Sequence, residues 1–344
     1  MKKSKKAAPP VSPASPDLER NWKGRVGSGG AARADVYIAE KIGILSRSQI
    51  KARGAVILVG GKAVKPSRPL KEGEELEVLW TDEAPLGITA QDIELSILYE
   101  DDRVIVVDKA QGMVTHPGAG NRRGTLANAA LAIIERDRAT KSAASSYGRA
   151  VRGGIVHRLD KDTSGVIIVA KDLDAQTFLA SQFKDRLTRK EYVAILRGLP
   201  SPPAGRISDR LGRDRRDRKR FASIAEGGKV AVTDYRVLAY WKNAERPDGG
   251  GESYSLVSLR PKTGRTHQLR VHMADLGTPI LGDPIYGRKD GRFPDATLML
   301  HAYRLKISLP GKEEAELFTS PPPERFNTMI QDLDRIFVRH HNTK

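Results

Sequence analysis

Gly153-Gly154-Ile155-Val156-His157-Arg158-Leu159-Asp160-Lys161-Asp162-Thr163-Ser164-Gly165, followed by Val166-Ile167-Ile168-Val169-Ala170-Lys171, is the stretch around which the rest of the chain is read. A short apolar approach carries a dense polar knot, and a β-branched run follows. Val166 to Val169 has the composition of a buried strand. The knot therefore sits on a loop at the mouth of a sheet, where a rigid scaffold presents reactive groups. Asp160 is flanked by Arg158 and Lys161, and two cations favour the ionised carboxylate. Such a carboxylate can act as a nucleophile or a base. The same residues also describe an ordinary ion-paired turn with Asp160 as a hydrogen-bond acceptor, and composition alone does not separate the two readings.

The chain has 344 residues, a formal net charge of +17 and no cysteine. That length allows two domains, one with a sizeable core. Without cysteine there are no disulfides and no thiolate metal sites, which fits a reducing, cytoplasmic setting. No apolar run is long enough to span a membrane. The N-terminus is basic but lacks the apolar centre of a secretory signal. Nucleic acid is the commonest partner of so basic a chain, since each neutralised phosphate releases counterions. No basic amphipathic helix supports the competing reading of an acidic membrane surface. Aromatic residues make up only 6% of the chain, so recognition should rest on phosphate contacts and shape more than on stacking.

His157-Arg158-Leu159-Asp160-x-x-Thr163-Ser164-Gly165 resembles the signature of the RluA-type pseudouridine synthases. In that family the Asp of this motif is the essential catalytic residue, and the resemblance gives the role to Asp160. Three further segments carry it. Lys109-Ala110-Gln111-Gly112, running on to His116-Pro117, is similar to the family's Lys-Pro-x-Gly-x-x-x-His-Pro, with Ala110 at the proline position. Pro117-Gly118-Ala119-Gly120-Asn121 resembles the RluD-like subgroup that acts on large-subunit ribosomal RNA. Thr263-Gly264-Arg265-Thr266-His267-Gln268 matches the motif whose Arg pairs with the catalytic Asp, which by position is Arg265.

The resemblance implies an α+β fold: a mainly antiparallel mixed-sheet catalytic domain over 93–338, preceded by a small S4-like α/β RNA-binding domain over 33–80. Residues 1–32 read as a disordered basic arm and 81–92 as a linker. It further implies isomerisation of uridine to pseudouridine within RNA, with no cofactor and no metal. Tyr192, in Lys190-Glu191-Tyr192, would contact the target uracil. Arg158 would fill the space left by the flipped base, and His157 stands beside it in the pocket. The expected partner is RNA, as large-subunit ribosomal RNA or a pre-ribosomal particle, met by a monomer that uses no membrane.

Candidate RNA contacts are Arg47, Lys51, Arg53 and Lys62 in the front domain. Arg213, Arg215 and Arg216 are added from the densest charge run in the chain. Each could equally be a solvated surface charge. A helix is expected from Thr266 to Leu276 with Thr266 as its cap. His267 and His272 are five apart, whereas helical metal pairs want four, which argues against zinc. A Ser164–His157–Asp160 hydrolase is disfavoured, because all three lie on one loop and no Gly-x-Ser-x-Gly elbow is present. A noncatalytic RNA-binding or ribosome-assembly protein, and a synthase acting on transfer RNA, are the competing functions.

Overall fold

The computed structural model describes residues 19–28, 32–45, 47, 50, 54–81, 88–118, 121–140, 151–214, 216–217, 220–243 and 252–341. The chain divides into two compact units, 1–87 and 88–344.

The first unit carries a four-stranded antiparallel sheet. Its strands are β1 (Glu19–Arg25), β2 (Val56–Val59), β3 (Lys62–Val64) and β4 (Glu75–Thr81), in the order β1-β4-β2-β3. A short helix α1 (Ala34–Tyr37) runs into a π turn (Ile38–Ile42) that ends at Gly43, whose φ of 76° suits a glycine. Ile38, Ile57, Leu70, Leu76 and Val78 form the core. The expectation of a disordered arm through residue 32 is corrected here. Residues 19–25 pair with β4 along their whole length, Trp22 opposite Val78, and Val26 is buried. The segment is polar because backbone pairing holds it, with Trp22 packed against the core. The sequence also predicts a second helix starting at Ser46-Arg47-Ser48-Gln49-Ile50, with Ser46 as its N-cap; it lies largely outside the described residues.

The second unit is α+β. One sheet of eleven strands runs β10-β9-β11-β12-β8-β13-β7-β6-β5, with β14 on β13 and β15 on β11. In chain order these are β5 (Ser96–Glu100), β6 (Val104–Lys109), β7 (Ser164–Ala170), β8 (Arg189–Arg197), β9 (Ala204–Arg213), β10 (Phe221–Ser223), β11 (Lys229–Lys242), β12 (Ser253–Pro261), β13 (Leu300–Ser308), β14 (Ala315–Thr319) and β15 (Val338–His341). Among these pairings only β7 with β13 is parallel.

The helices cover both faces. They are α2 (Leu126–Thr140), α3 (Leu173–Lys184), α4 (Gln268–Asp275) and α5 (Glu324–Ile336). β7 is buried at every position, which the β-branched run had indicated. Val166 and Ile168 pack with Ala175 and Leu179 of α3. Ile167 and Val169 pack on the other face with Leu126, Ala130 and Ile133 of α2. Each such side chain contributes roughly 1.5–3 kcal/mol, so the strand that carries the polar knot is rigidly held.

Two glycines bound that knot for steric reasons. A Cβ on Gly154 would lie 1.8 Å from the Ala170 carbonyl oxygen, and one on Gly165 would lie 2.2 Å from that of Ala302. Both also have positive φ, which L side chains resist.

Three boundaries move from the sequence expectation. The sequence spacing predicts a packing helix over Thr125 to Ile134 and a basic, aperiodic loop from Arg136 to Arg152; α2 instead continues to Thr140. The arginine-rich stretch 201–220 is expected as a loop between strands, but β9 occupies part of it, so Arg206 is a strand residue bonded to Asp234 of β11. α4 starts at Gln268, two residues after the expected cap at Thr266; His267, at φ 55°, precedes it.

Candidate active site

The knot is clamped from below by the glycine-rich segment that follows β6. The Lys109 ammonium is fully buried and donates to the carbonyls of Ala110 (2.9 Å), Met113 (2.8 Å) and Lys161 (3.2 Å). Burial pulls Lys109 down to about 8, against the pull of Asp162 and Asp160, so it is still an ammonium at neutral pH. Gln111 donates to the carbonyls of Asp162 (2.9 Å) and Leu298 (3.0 Å). The Thr115 hydroxyl donates to the Leu159 carbonyl at 2.7 Å. These three side chains hold the backbone on both sides of Asp160. The sequence expectation did not include this clamp; its one local signal is a Lys and a Gln in the segment leading to Gly112.

The Thr-Gly-Arg-Thr-His-Gln motif forms a second clamp. The Gln268 carbonyl oxygen accepts from the Thr263 hydroxyl (2.7 Å) and the Arg265 amide (3.0 Å). Its NH2 donates to Val232 and Thr233 of β11. The turn before α4 is thus pinned to the sheet, and the helix presents Arg270 in its first turn.

The expected pair between Arg265 and Asp160 is not made. Arg265 Nε donates instead to the Val230 carbonyl at 3.0 Å. Arg270, 4% exposed, reaches Asp160 Oδ2 with Nη1 at 3.4 Å and grips Asp283 with two bonds of 2.7 Å. The late start of α4 turns Arg265 toward β11 and Arg270 toward the knot. Burial opposes the charge on Arg270, but Asp283 and Asp160 outweigh it and raise its affinity for its proton. Burial likewise opposes Asp283, yet Arg270 and the Ile285 and Tyr286 amides hold its carboxyl below the usual range. An Arg set among Leu269, Val271 and Met273 on a helix, with Asp283 downstream, was the signal for this pair.

A cleft of about 440 Å³ opens above Asp160. Its lining includes Arg158, Lys184, Arg186, Lys190, Lys262 and Arg265, and Asp160 is its one carboxylate among the described residues. The structure therefore brings Asp160, Arg158, His157, Tyr192, His267 and Arg270 to one site. Burial, then the charge of Asp160, pushes the Tyr192 phenol above its ordinary value, so it stays protonated.

His157 lines the cleft but is committed elsewhere. Its Nε2 accepts from the Ile168 amide at 3.0 Å, and its ring stacks on Phe183 at 4.3 Å. Burial, with Lys190 nearby, lowers its pKa to about 3. A histidine neutral in the fold but protonated in the unfolded chain below about 6.5 costs stability as pH falls from that value toward 3. The slope is at most about 1.4 kcal/mol per pH unit. His157→Gln should flatten the fall in urea midpoint between pH 6.5 and 4. An unchanged slope would show that His157 does not carry it.

Ser164 is buried and contacts His301 Nδ1 (2.9 Å) and Arg325 (2.6 Å) rather than His157, so no Ser-His-Asp triad is assembled. Arg213 lies over the Phe221 ring at 5.3 Å, and Arg216 is exposed with its amide bonded to Asp214. In the first unit Arg47 is ion-paired with Asp35 at 3.3 Å and Lys62 is exposed. Lys51, Arg53 and Arg215 lie outside the described residues. Among the described residues no three His, Cys, Asp or Glu side chains cluster as a metal site.

Residues 103–275 match the family model described as RNA pseudouridylate synthase. The chain belongs to that family. A Borreliella burgdorferi relative, ribosomal large subunit pseudouridine synthase D, is 42% identical over 310 residues, covering 88% of this chain and 90% of that one. A Pseudomonas aeruginosa relative of the same name is 35% identical, covering 88% and 92%. The solved structure of human RNA pseudouridylate synthase domain containing 1 aligns with a TM-score of 0.54 at 28% identity, over 74% of this chain and 93% of that one. The synthase is therefore an isomerase acting on RNA, and its catalytic unit has the α+β fold expected. Among the described residues no helix is long and apolar enough to cross a membrane.

Proposed function

We propose that this synthase converts specific uridines of large-subunit ribosomal RNA to pseudouridine, with Asp160 as its nucleophile. The observation that carries this is the single carboxylate at the floor of a cleft lined by cations, braced by Arg270 and by the Lys109 and Thr115 clamps. The reaction breaks the bond from ribose to uracil nitrogen 1 and joins ribose to carbon 5. It gains no atom and involves no net oxidation, so a positioned carboxylate and a shaped pocket suffice. The target base must leave its stack, at a cost of a few kcal/mol. Arg158, exposed at the cleft, is suited to take its place. Tyr192 packs against the uracil; a phenol held protonated is a poor base for the carbon 5 proton. The ribosomal target rests on the relatives named for it.

Mapping pseudouridine in total RNA with and without the gene tests the target. Loss of particular pseudouridines in large-subunit ribosomal RNA is expected. Losses confined to transfer RNA would overturn the assignment.

We further propose that the first unit is an S4-like module that holds RNA through residues such as Lys62. Removing residues 1–87 should weaken RNA binding while single-turnover chemistry at saturating enzyme is largely kept. An equal loss in both would make the unit part of the catalytic machinery.

A further inference from the structure

His267 is not used by the reaction described above, yet it and Arg270 both reach the Asp160 carboxylate. Its Nε2 is 3.9 Å from Asp160 Oδ2. It is also one of two non-glycine residues with positive φ among those described, at 55°. A histidine held in the left-handed region costs free energy, and such strain persists where surrounding contacts over-determine it.

Those contacts also favour one tautomer. The Phe221 amide donates to the Tyr286 hydroxyl oxygen at 2.8 Å. With one lone pair so used, the Tyr286 hydroxyl is placed to donate its proton to His267 Nδ1, 2.9 Å away. An accepting Nδ1 puts the ring proton on Nε2, the nitrogen that faces Asp160. Tyr286 is itself held between two guanidinium groups, Arg220 and Arg270, each 5.2 Å from its ring centre. The Phe221 and His267 rings also meet edge-on, with centres 5.7 Å apart. Burial lowers the affinity of His267 for a second proton, against the upward pull of Asp160, which keeps a neutral N–H donor in place at neutral pH.

Both donors approach the same carboxylate oxygen. Arg270 Nη1 and His267 Nε2 lie at 3.4 and 3.9 Å from Oδ2, whereas Oδ1 accepts no hydrogen bond from any described residue. We propose that His267 is a positioning residue: a neutral Nε2–H donor, aimed by Tyr286, that with Arg270 occupies Oδ2 of Asp160 and leaves Oδ1 as the attacking oxygen. The contact is long here, as catalytic contacts often are before substrate binds. Attack on ribose sends the electron pair of the ribose–nitrogen bond onto the uracil. Attack on uracil carbon 6 sends the carbon 5–carbon 6 π pair onto the base. In either case the Oδ1 bond forms without a proton leaving the carboxylate, and Oδ2 keeps its donors throughout.

The inference rests on the proposed function, and its test keeps the two apart. Single-turnover rates and RNA affinity are measured on an in-vitro transcript of large-subunit ribosomal RNA with the full-length enzyme. His267→Ala should lose about 10- to 100-fold in rate, by analogy with the loss of a partner that orients a metal ligand, with affinity unchanged. His267→Gln, which keeps a neutral N–H donor, should recover part of the loss. Tyr286→Phe should slow the reaction, and combining it with His267→Ala should add nothing, because both remove one device. His267→Gln and Tyr286→Phe alone carry the test if His267→Ala fails to fold. An unchanged rate beside an active parent, a loss residing wholly in affinity, or additive effects would overturn the role of His267. Absence of product with the parent enzyme would overturn the ribosomal assignment on which it rests.

Discussion

Asp160→Asn should bind RNA as the parent does and form no measurable pseudouridine, a loss of at least ~10⁴-fold in single-turnover rate by analogy with removal of other essential nucleophiles. The amide keeps the size of the side chain but not its charge, and an uncharged amide oxygen is a far weaker nucleophile. The fold should survive the change. Arg270 does not lose its anion, because Asp283 still holds it through two bonds of 2.7 Å. The loop does not lose its anchors either, since Lys109, Gln111 and Thr115 bind its backbone and leave the Asp160 side chain alone. RNA affinity should be kept, since the cleft loses one negative charge from a lining otherwise rich in cations. Thermal unfolding, a binding isotherm and a quantitative pseudouridine assay on one preparation check all three. A variant that folds, binds and still isomerises at the parental rate would remove Asp160 from the chemistry and favour the noncatalytic RNA-binding reading of the chain.

The centre of the fold and the first member of the site could be read from the chain because their signals are local. β7 showed itself as an unbroken β-branched run, and both of its faces are buried. Asp160 stood out because a carboxylate between cations on a loop before such a strand is chemically pointed. What stayed hidden depends on contacts between distant segments. β1 has few apolar side chains, and its evidence is a backbone register with β4, from Arg25 opposite Glu75 to Glu19 opposite Thr81. The Lys109 clamp is three carbonyls from two segments, and carbonyls have no residue type to read. Arg265 was named through the motif that resembles the family's; with α4 beginning at Gln268, Arg265 is turned to the Val230 carbonyl and Arg270 to Asp160, a difference that only the contacts between segments reveal. His157, expected in the pocket, does line it, yet its ring nitrogen is spent on the Ile168 amide.

Replacing Arg270 should be the most damaging change after Asp160→Asn, and unlike that change it should cost stability as well as rate. Arg270 is buried between two carboxylates. In Arg270→Met the Asp283 carboxylate keeps its bonds from the Ile285 and Tyr286 amides but loses its cation. Breaking a buried pair on one side costs about 3–5 kcal/mol. Asp160 would lose the donor on Oδ2 that orients it, for a further loss of about 10²- to 10³-fold in rate at temperatures where the variant is folded, the range seen when one preorganised donor is removed. Arg270→Lys should recover only part of either loss, because an ammonium cannot grip Asp283 with two parallel bonds and reach Asp160 as well. The pH dependence gives the mechanism away. In the parent, Asp283 is held below its unfolded pKa, so its stabilisation is present at neutral pH and fades as pH falls through the folded value. Without the cation, burial dominates and the folded carboxyl rises above the unfolded value, which reverses the sign: stability is then lost as pH rises from the ordinary carboxylate range near 4 through the raised value. The deficit of Arg270→Met against the parent should therefore be smaller at pH 5 than at pH 8, read as the difference in urea midpoints. A deficit that is constant across that range would mean that Arg270 acts by packing alone, and that Asp283 does not depend on it for its charge.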